Sequence, residues 1–277
     1  VTLSRLARWS LRLWCWATLA FFYVPLAVVV ILSFNEATSL SWPPKGFTRD
    51  WWSKAWEADA PKDAFWTSVR IAIAATAIAL VLGSLAAFAL HRFRFFGRSS
   101  ISFLLVLPIA LPGIVTGVAL QNTFSRQFDI GPLEFKLGFG YYSVVIAHAT
   151  FCVVVAFNNV IARLRRMSPN LLEASADLGA SGSQTFRHVT FPLIRSALLA
   201  GGLLAFALSF DEIVVTTFTA GAGIETLPQW ILNNFSRPNN VPIVNVVATV
   251  VMVLSIPLAW LAQRLSDSAG TMGAAAP

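Results

Sequence analysis

The stretch "ALLAGGLLAFALSFDEIVVTTFTAG" (197–221) holds eleven Leu, Ile, Val and Phe and two adjacent acids, Asp211 and Glu212. Without the acids it is a membrane-spanning helix. A carboxylate near the centre of such a helix costs roughly 2.5–3.5 kcal/mol, whereas each large apolar residue returns only ~0.3–0.6 kcal/mol. Two ionised acids therefore cancel most of the insertion gain, so this segment needs polar neighbours or a polar task. By helical spacing Ser209, Glu212, Thr216 and Thr219 form one polar stripe, with Asp211 about 100° round from Glu212. Such a stripe faces a cavity or neighbouring helices.

The rest of the chain supports the membrane reading. It is 277 residues long, 56% hydrophobic and only 12% charged, against about a quarter charged in soluble domains. Six segments have the length and apolarity of spans: 14–34, 68–90, 101–120, 141–162, 196–218 and 242–262. All are expected to be helices, since hydrocarbon demands internally satisfied backbone; the short alternating segments of a barrel are missing. The expected class is therefore an all-α polytopic membrane protein. Its parts are an N-terminal span and outer loop (1–66), a core of five spans (67–265) and a tail (266–277). Cys15 and Cys152 lie in apolar runs, so no structural disulfide is expected.

The net charge of +7 sits mostly between spans. Arg5, Arg8 and Arg12 precede the first span, which continues to Phe34 without a small-residue cleavage site and is expected to be a retained signal anchor. Arg92, Arg94 and Arg98 lie in the next loop on that side, and Arg163, Arg165, Arg166, Arg187 and Arg195 in 163–195. The positive-inside rule puts these loops, and both termini, in the cytoplasm. The opposite loop 35–67 carries Trp42, Trp51, Trp52, Trp56 and Trp66, suited to an interfacial belt. In span three Pro108, Pro112 and Gly113 predict a kink or break.

The 163–195 segment is too long for a mere connector. Ser168 is placed to N-cap, Pro169 to occupy the first helical position and Gly179 to end the helix, which predicts "PNLLEASADL" (169–178) as helix. Leu171, Ala174, Ser175 and Leu178 share a face. Glu173 and Asp177 are four apart, where like charges disfavour an isolated helix but suit a basic partner. Ser181 or Ser183 is expected to cap a further turn that ends near Pro192.

"EASADLGASGSQTFRHVTFP" (173–192) resembles the EAA loop of ABC-importer permeases: Glu173, Ala174, Gly179 and Pro192 match in spacing, with Ser175, Val189 and Phe191 as mild departures. The resemblance extends through "YVPLAVVVILSFNEA", "PPKGFTRDWW", "LPGIVTGVAL" and "NVVATVVMVLSIPLAWLAQRL". "SFDEIVVTTFTAG" with "TLPQWI" resembles the second permease subunit of spermidine/putrescine importers. The resemblance implies a type I permease fold in the bacterial inner membrane. It implies a coupling helix formed by Glu173, Ala174, Ser175, Asp177, Leu178 and Gly179, with Pro192 closing the motif. It also implies a second, non-identical permease, a cytoplasmic ATPase dimer and an extracytoplasmic solute-binding protein. The chain's lysines are Lys45, Lys54, Lys62 and Lys136, none after a G-x-x-x-x-G loop, so ATP-Mg is expected to be used by the ATPase and no cofactor by this chain.

Asp211, Glu212, Ser209 and Thr216 are the candidate substrate-path residues, attracting ammonium groups of a polyamine. The competing role is structural pairing between spans. "LPQWILNNF" (227–235) is a candidate gate element. His148, Asn158 and Asn159 are expected to make interhelical hydrogen bonds; no metal site and no catalysis are expected. Importers of ferric iron, phosphonate-like or amino-acid-like solutes share the same grammar and remain alternatives. So does a secondary transporter or cation channel, in which 163–195 has no purpose.

Overall fold

The computed structural model describes residues 4–38, 42–130 and 133–271. In chain order its elements are α1 (Arg5–Leu32), α2 (Asp50–Glu57), α3 (Asp59–Arg92), α4 (Arg98–Ala110), α5 (Gly113–Ser125), β1 (Gln127–Ile130), β2 (Leu133–Lys136) and α6 (Tyr141–Arg165). They continue with α7 (Pro169–Asp177), α8 (Gly182–Thr185), a π-helical turn over Phe186–Thr190, α9 (Phe191–Phe210), α10 (Val214–Thr219), α11 (Leu227–Phe235) and α12 (Val241–Thr271). The only sheet among the described residues is the antiparallel β1–β2 ribbon. It falls in the segment 121–140, where no strand was expected. Of the expected tail, 272–277 lie outside the described residues, and α12 runs through the remainder.

Four helical runs among the described residues are long and apolar enough to cross a membrane: α1, α3, α6 and the continuous Gly182–Phe210. α4 and α5 meet that test only together and are bent by 103°. Val241–Pro257 of α12 is a shorter apolar helix. Span three is broken, as its prolines and Gly113 predicted. Leu111 is extended (φ −82, ψ 143), as the residue before a proline prefers, and Pro112 starts the next helix as its N-cap. Pro108 stays inside α4, so only the second proline breaks the span.

The chain divides into two compact units, residues 1–62 with 230–257 and residues 63–229 with 258–277. In the first, α1 buries only 6% of its apolar window; its Trp, Phe and Leu side chains point outward, as lipid or another chain permits. The segment after α1 is organised by Asn35, 1% exposed. Its Oδ1 accepts the N–H groups of Ala37 (3.3 Å) and Lys45 (3.2 Å), and its carbonyl accepts Trp51 Nε1–H at 3.0 Å. Phe34 stacks on Trp52, centroids 5.2 Å apart. Trp42 and Trp56 are exposed, whereas Trp51 and Trp52 are partly withdrawn into this packing. Two of the five tryptophans proposed for the belt are thus structural.

In the second unit α6 is the central helix, with 67% of its apolar window buried. Small residues let α3 approach it closely: Ala72, Ala75, Ala79 and Ala87 are fully buried. A Cβ on Gly83 would stand 2.8 Å from the Val153 carbonyl oxygen. Spacing of small residues at three and four is how bilayer helices gain contact without a hydrophobic driving force. Apolar clusters form around Phe124, Phe151, Ala205 and Val215, around Phe157, Leu164 and Ile194, and around Ile71, Val144 and Val145.

Candidate functional site

Span five is not continuous. α9 stops at Phe210, Asp211 takes the C-cap (φ −92, ψ 2) with its N–H still on the Ala207 carbonyl at 3.2 Å, and α10 starts at Val214. The break falls on the two acids, which correct the expected unbroken helix over 196–218. The acids do different things there. Glu212 Oε1 accepts the Val215 N–H at 2.9 Å, so the carboxylate caps a first-turn donor of α10 that has no helical partner. The Asp211 side chain is exposed and has no hydrogen-bond or ion-pair partner among the described residues. Helical periodicity singled out Glu212 as the path-facing acid; the geometry makes Asp211 the free one.

The polar stripe turns toward α6. Ser209, Thr216 and Thr219 are buried (3%, 0% and 0% exposed). His148, also 0% exposed, meets Ser209 Oγ with Nδ1 and Thr216 Oγ1 with Nε2, each at 2.8 Å. The Thr216 hydroxyl donates its one proton to the Glu212 carbonyl at 2.8 Å. Nε2 must therefore carry the ring proton toward Thr216, leaving Nδ1 to accept the Ser209 proton in the neutral ring. One turn on, Ser143 Oγ–H donates to the Thr219 carbonyl at 2.8 Å. Of the alternatives open for the stripe, Ser209 and Thr216 take the neighbouring helix. Asn159 bonds back to Val155 of its own helix at 2.9 Å, not across helices as expected, and Asn158 is exposed. The His148 bridge joins positions 61 and 68 residues away, and no local pattern signals it.

The 163–195 segment forms its helix where the caps predicted, α7. Ser168 occupies the N-cap position with Pro169 next, but its hydroxyl makes no capping bond. Gly179 has φ +75. The Ala180 N–H reaches the Ser175 carbonyl (3.1 Å) and the Gly179 N–H the Ala176 carbonyl (2.9 Å), the double closure of a Schellman end. Glu173, Ala174 and Asp177 are exposed, as is Leu178 at 88%. Ser175 leaves that face: it is buried and bonds Thr185 Oγ1 at 2.8 Å. Ser181 does cap the next turn, accepting the Gln184 N–H while its own N–H bonds Gln184 Oε1 at 2.8 Å. That turn does not end near Pro192. The π-helical residues Phe186–Thr190 carry it into α9; a π-turn widens the helix where a proline lacks its N–H and crowds the preceding turn.

Leu227–Phe235 is helical as expected, and the Leu227 N–H is held by Ser68 Oγ at 2.8 Å. Among the described residues no three His, Cys, Asp or Glu side chains are placed to share a metal ion.

Residues 79–269 match the family described as binding-protein-dependent transport system inner membrane component. A spermidine/putrescine transport system permease protein of Haemophilus influenzae, PotC, is 34% identical over 248 residues, 89% of this chain and 92% of that protein. A putrescine transport system permease protein of Escherichia coli K12, PotI, is 33% identical over 238 residues, covering 84% of this chain and 82% of that one. Among solved structures, a bacterial ABC transporter involved in the import of the acidic polysaccharide alginate superposes with a TM-score of 0.66. That match covers 96% of this chain and 99% of the other at 13% identity, and it speaks for the fold alone.

Proposed function

The chain belongs to the family of binding-protein-dependent transport system inner membrane components, and from that premise we propose that it is the permease subunit of an ATP-driven importer of polyamines, of the spermidine/putrescine class. It is a transport component of the inner membrane, not a catalytic enzyme. The fold is that of a type I ABC permease. In the proposed assembly a second, non-identical permease completes the path, a separate ATPase dimer hydrolyses ATP-Mg, and an extracytoplasmic protein delivers solute.

The observation that carries the cargo assignment is the exposed, unpartnered Asp211 carboxylate at a helix break between two apolar segments. A fixed anion in a low-dielectric path concentrates cations and rejects anions. A polyamine presents several ammonium groups to it, one after another. Glu212 adds charge while holding α10, and Ser209 and Thr216 support the site from behind rather than touching solute. α11 serves as a gate element.

At the other end Glu173, Asp177 and exposed Leu178 form the surface for the ATPase, with Ala174 on the same exposed helix. Ser175, Gly179 and Pro192 shape the loop. This requires 163–195 and both termini in the cytoplasm. In a cysteine-free background, Ser181→Cys should react with an impermeant thiol reagent only from the cytoplasmic side; reaction from outside intact cells overturns the orientation. The function itself is tested by reconstituting the chain with its partner permease, ATPase and binding protein. ATP-dependent uptake of labelled spermidine or putrescine is expected, and uptake confined to an uncharged or anionic solute rejects the cargo.

A further inference from the structure

Two features frame His148. It is buried in the central helix α6, and its two ring nitrogens go to opposite sides of the break in span five: Ser209 in the last turn of α9 and Thr216 in the first turn of α10. Ser209 and Thr216 are seven residues apart. In an unbroken helix that is about 10.5 Å along the axis, a long span for one imidazole making a 2.8 Å bond at each nitrogen. The turn of chain at Asp211–Ile213 is what lets both hydroxyls meet the same ring. Bridge and break therefore fit each other. The Thr216 hydroxyl extends the chain of bonds to the Glu212 carbonyl (2.8 Å), and the Glu212 carboxylate closes it on Val215 (2.9 Å). The His148 ring nitrogens, both hydroxyls and one Glu212 carboxylate oxygen are thus engaged, whereas the neighbouring Asp211 carboxylate is not.

We propose that His148 is the positioning residue of the path: by clamping both sides of the break to α6, it fixes where the free Asp211 carboxylate stands. A core histidine that only fills space needs one partner on any neighbour. This one holds two segments whose helical ladder is interrupted between them, and the interrupted residues are the acids. The solute half of this proposal rests on the polyamine reading; the clamp itself does not.

The test uses the full importer with Cys15→Ser and Cys152→Ala, and Ile213→Cys as a reporter within the break. The rate of its modification by a charged methanethiosulfonate is measured alongside KM and maximal rate for spermidine, the latter in the importer that keeps Ile213. His148→Leu removes both bonds; Thr216→Val removes one at constant shape. His148→Gln keeps one acceptor and one donor on a planar group. His148→Leu should raise the modification rate at least threefold and KM at least fivefold while the maximal rate changes less. Thr216→Val should fall between, and His148→Gln should stay within twofold of the parent. Equal rates in parent and His148→Leu overturn the clamp, as does a His148→Gln variant as impaired as His148→Leu. Should His148→Leu fail to insert, Thr216→Val carries the test, and an unchanged rate there overturns it. A faster reporter with an unchanged spermidine KM upholds the clamp and rejects the acids' part in solute passage.

Discussion

Glu173 with Asp177 and Asp211 with Glu212 are two pairs of closely spaced acids that sit in opposite kinds of backbone. Glu173 and Asp177 stand on an unbroken helix, both exposed, with a Schellman end at Gly179 fixing where the helix stops. Asp211 and Glu212 stand where a helix fails, one carboxylate free and the other used on Val215. In the first pair the backbone is self-sufficient and both charges are left for another molecule. In the second the backbone needs one of the charges, so the two acids cannot be equivalent. Adjacent acids in a membrane protein are thus not one site by virtue of being adjacent; backbone donors decide which of them is available.

The widest gap between the pairs should come from Asp211→Asn. It removes the free charge without touching a backbone bond. Polyamine uptake at low concentration should fall about tenfold, on the order of 1.4 kcal/mol. A singly charged amine should lose less, because the Coulomb term scales with charge. Equal loss for both amines would mean Asp211 acts by shape.

Next is Gly179→Val, which attacks the end of α7. A side chain at φ +75 costs about 1–2 kcal/mol, more for a β-branched residue. Capture of the ATPase by the assembled permeases should drop severalfold with membrane insertion unchanged. Glu173→Lys should weaken the same capture by a factor of about five, or ~1 kcal/mol, mainly through slower association and with a marked salt dependence. If both variants bind ATPase and transport normally, α7 is not the transmission element.

The smallest effect is expected at Glu212→Gln. The amide oxygen still accepts the Val215 N–H, so only the charge assistance is lost, about 0.5–1 kcal/mol, and uptake should change less than threefold. A loss there equal to that of Asp211→Asn would erase the distinction between the two acids and restore the periodicity argument for Glu212.

What the amino-acid order reveals follows from range. The ends of α7 depend on residues within a turn of one another, so Pro169, Gly179 and a serine cap at Ser181 or Ser183 were readable in advance. The break at Pro112 was readable for the same reason, although Pro108, chemically equal, does nothing of the kind. Span five was misread as continuous because Asp211 and Glu212 carry no proline or glycine to mark a break. Its geometry answers to His148, across another helix, and a side chain's distant partner leaves no trace in spacing. Ser209 and Thr216 were correctly grouped as a polar stripe, but which neighbour they would face was undetermined until α6 was in place. Pro192 misled in the other direction: a residue that usually stops a helix is passed through because the turn before it is wound wider.

That wider turn has a mechanical corollary. Because Phe186–Thr190 replaces a loop, Gly182 and Phe210 are the two ends of one 29-residue strut, roughly 40 Å long at 1.5 Å per residue. α7 adjoins one end of the strut and the break with Asp211 adjoins the other. A flexible connector would dissipate a tug at its near end as slack; a strut delivers it as displacement or rotation at its far end. The under-wound turn beside Pro192 is a compliant point along its length, where torsion entering at Gly182 is absorbed in part before it reaches the acids.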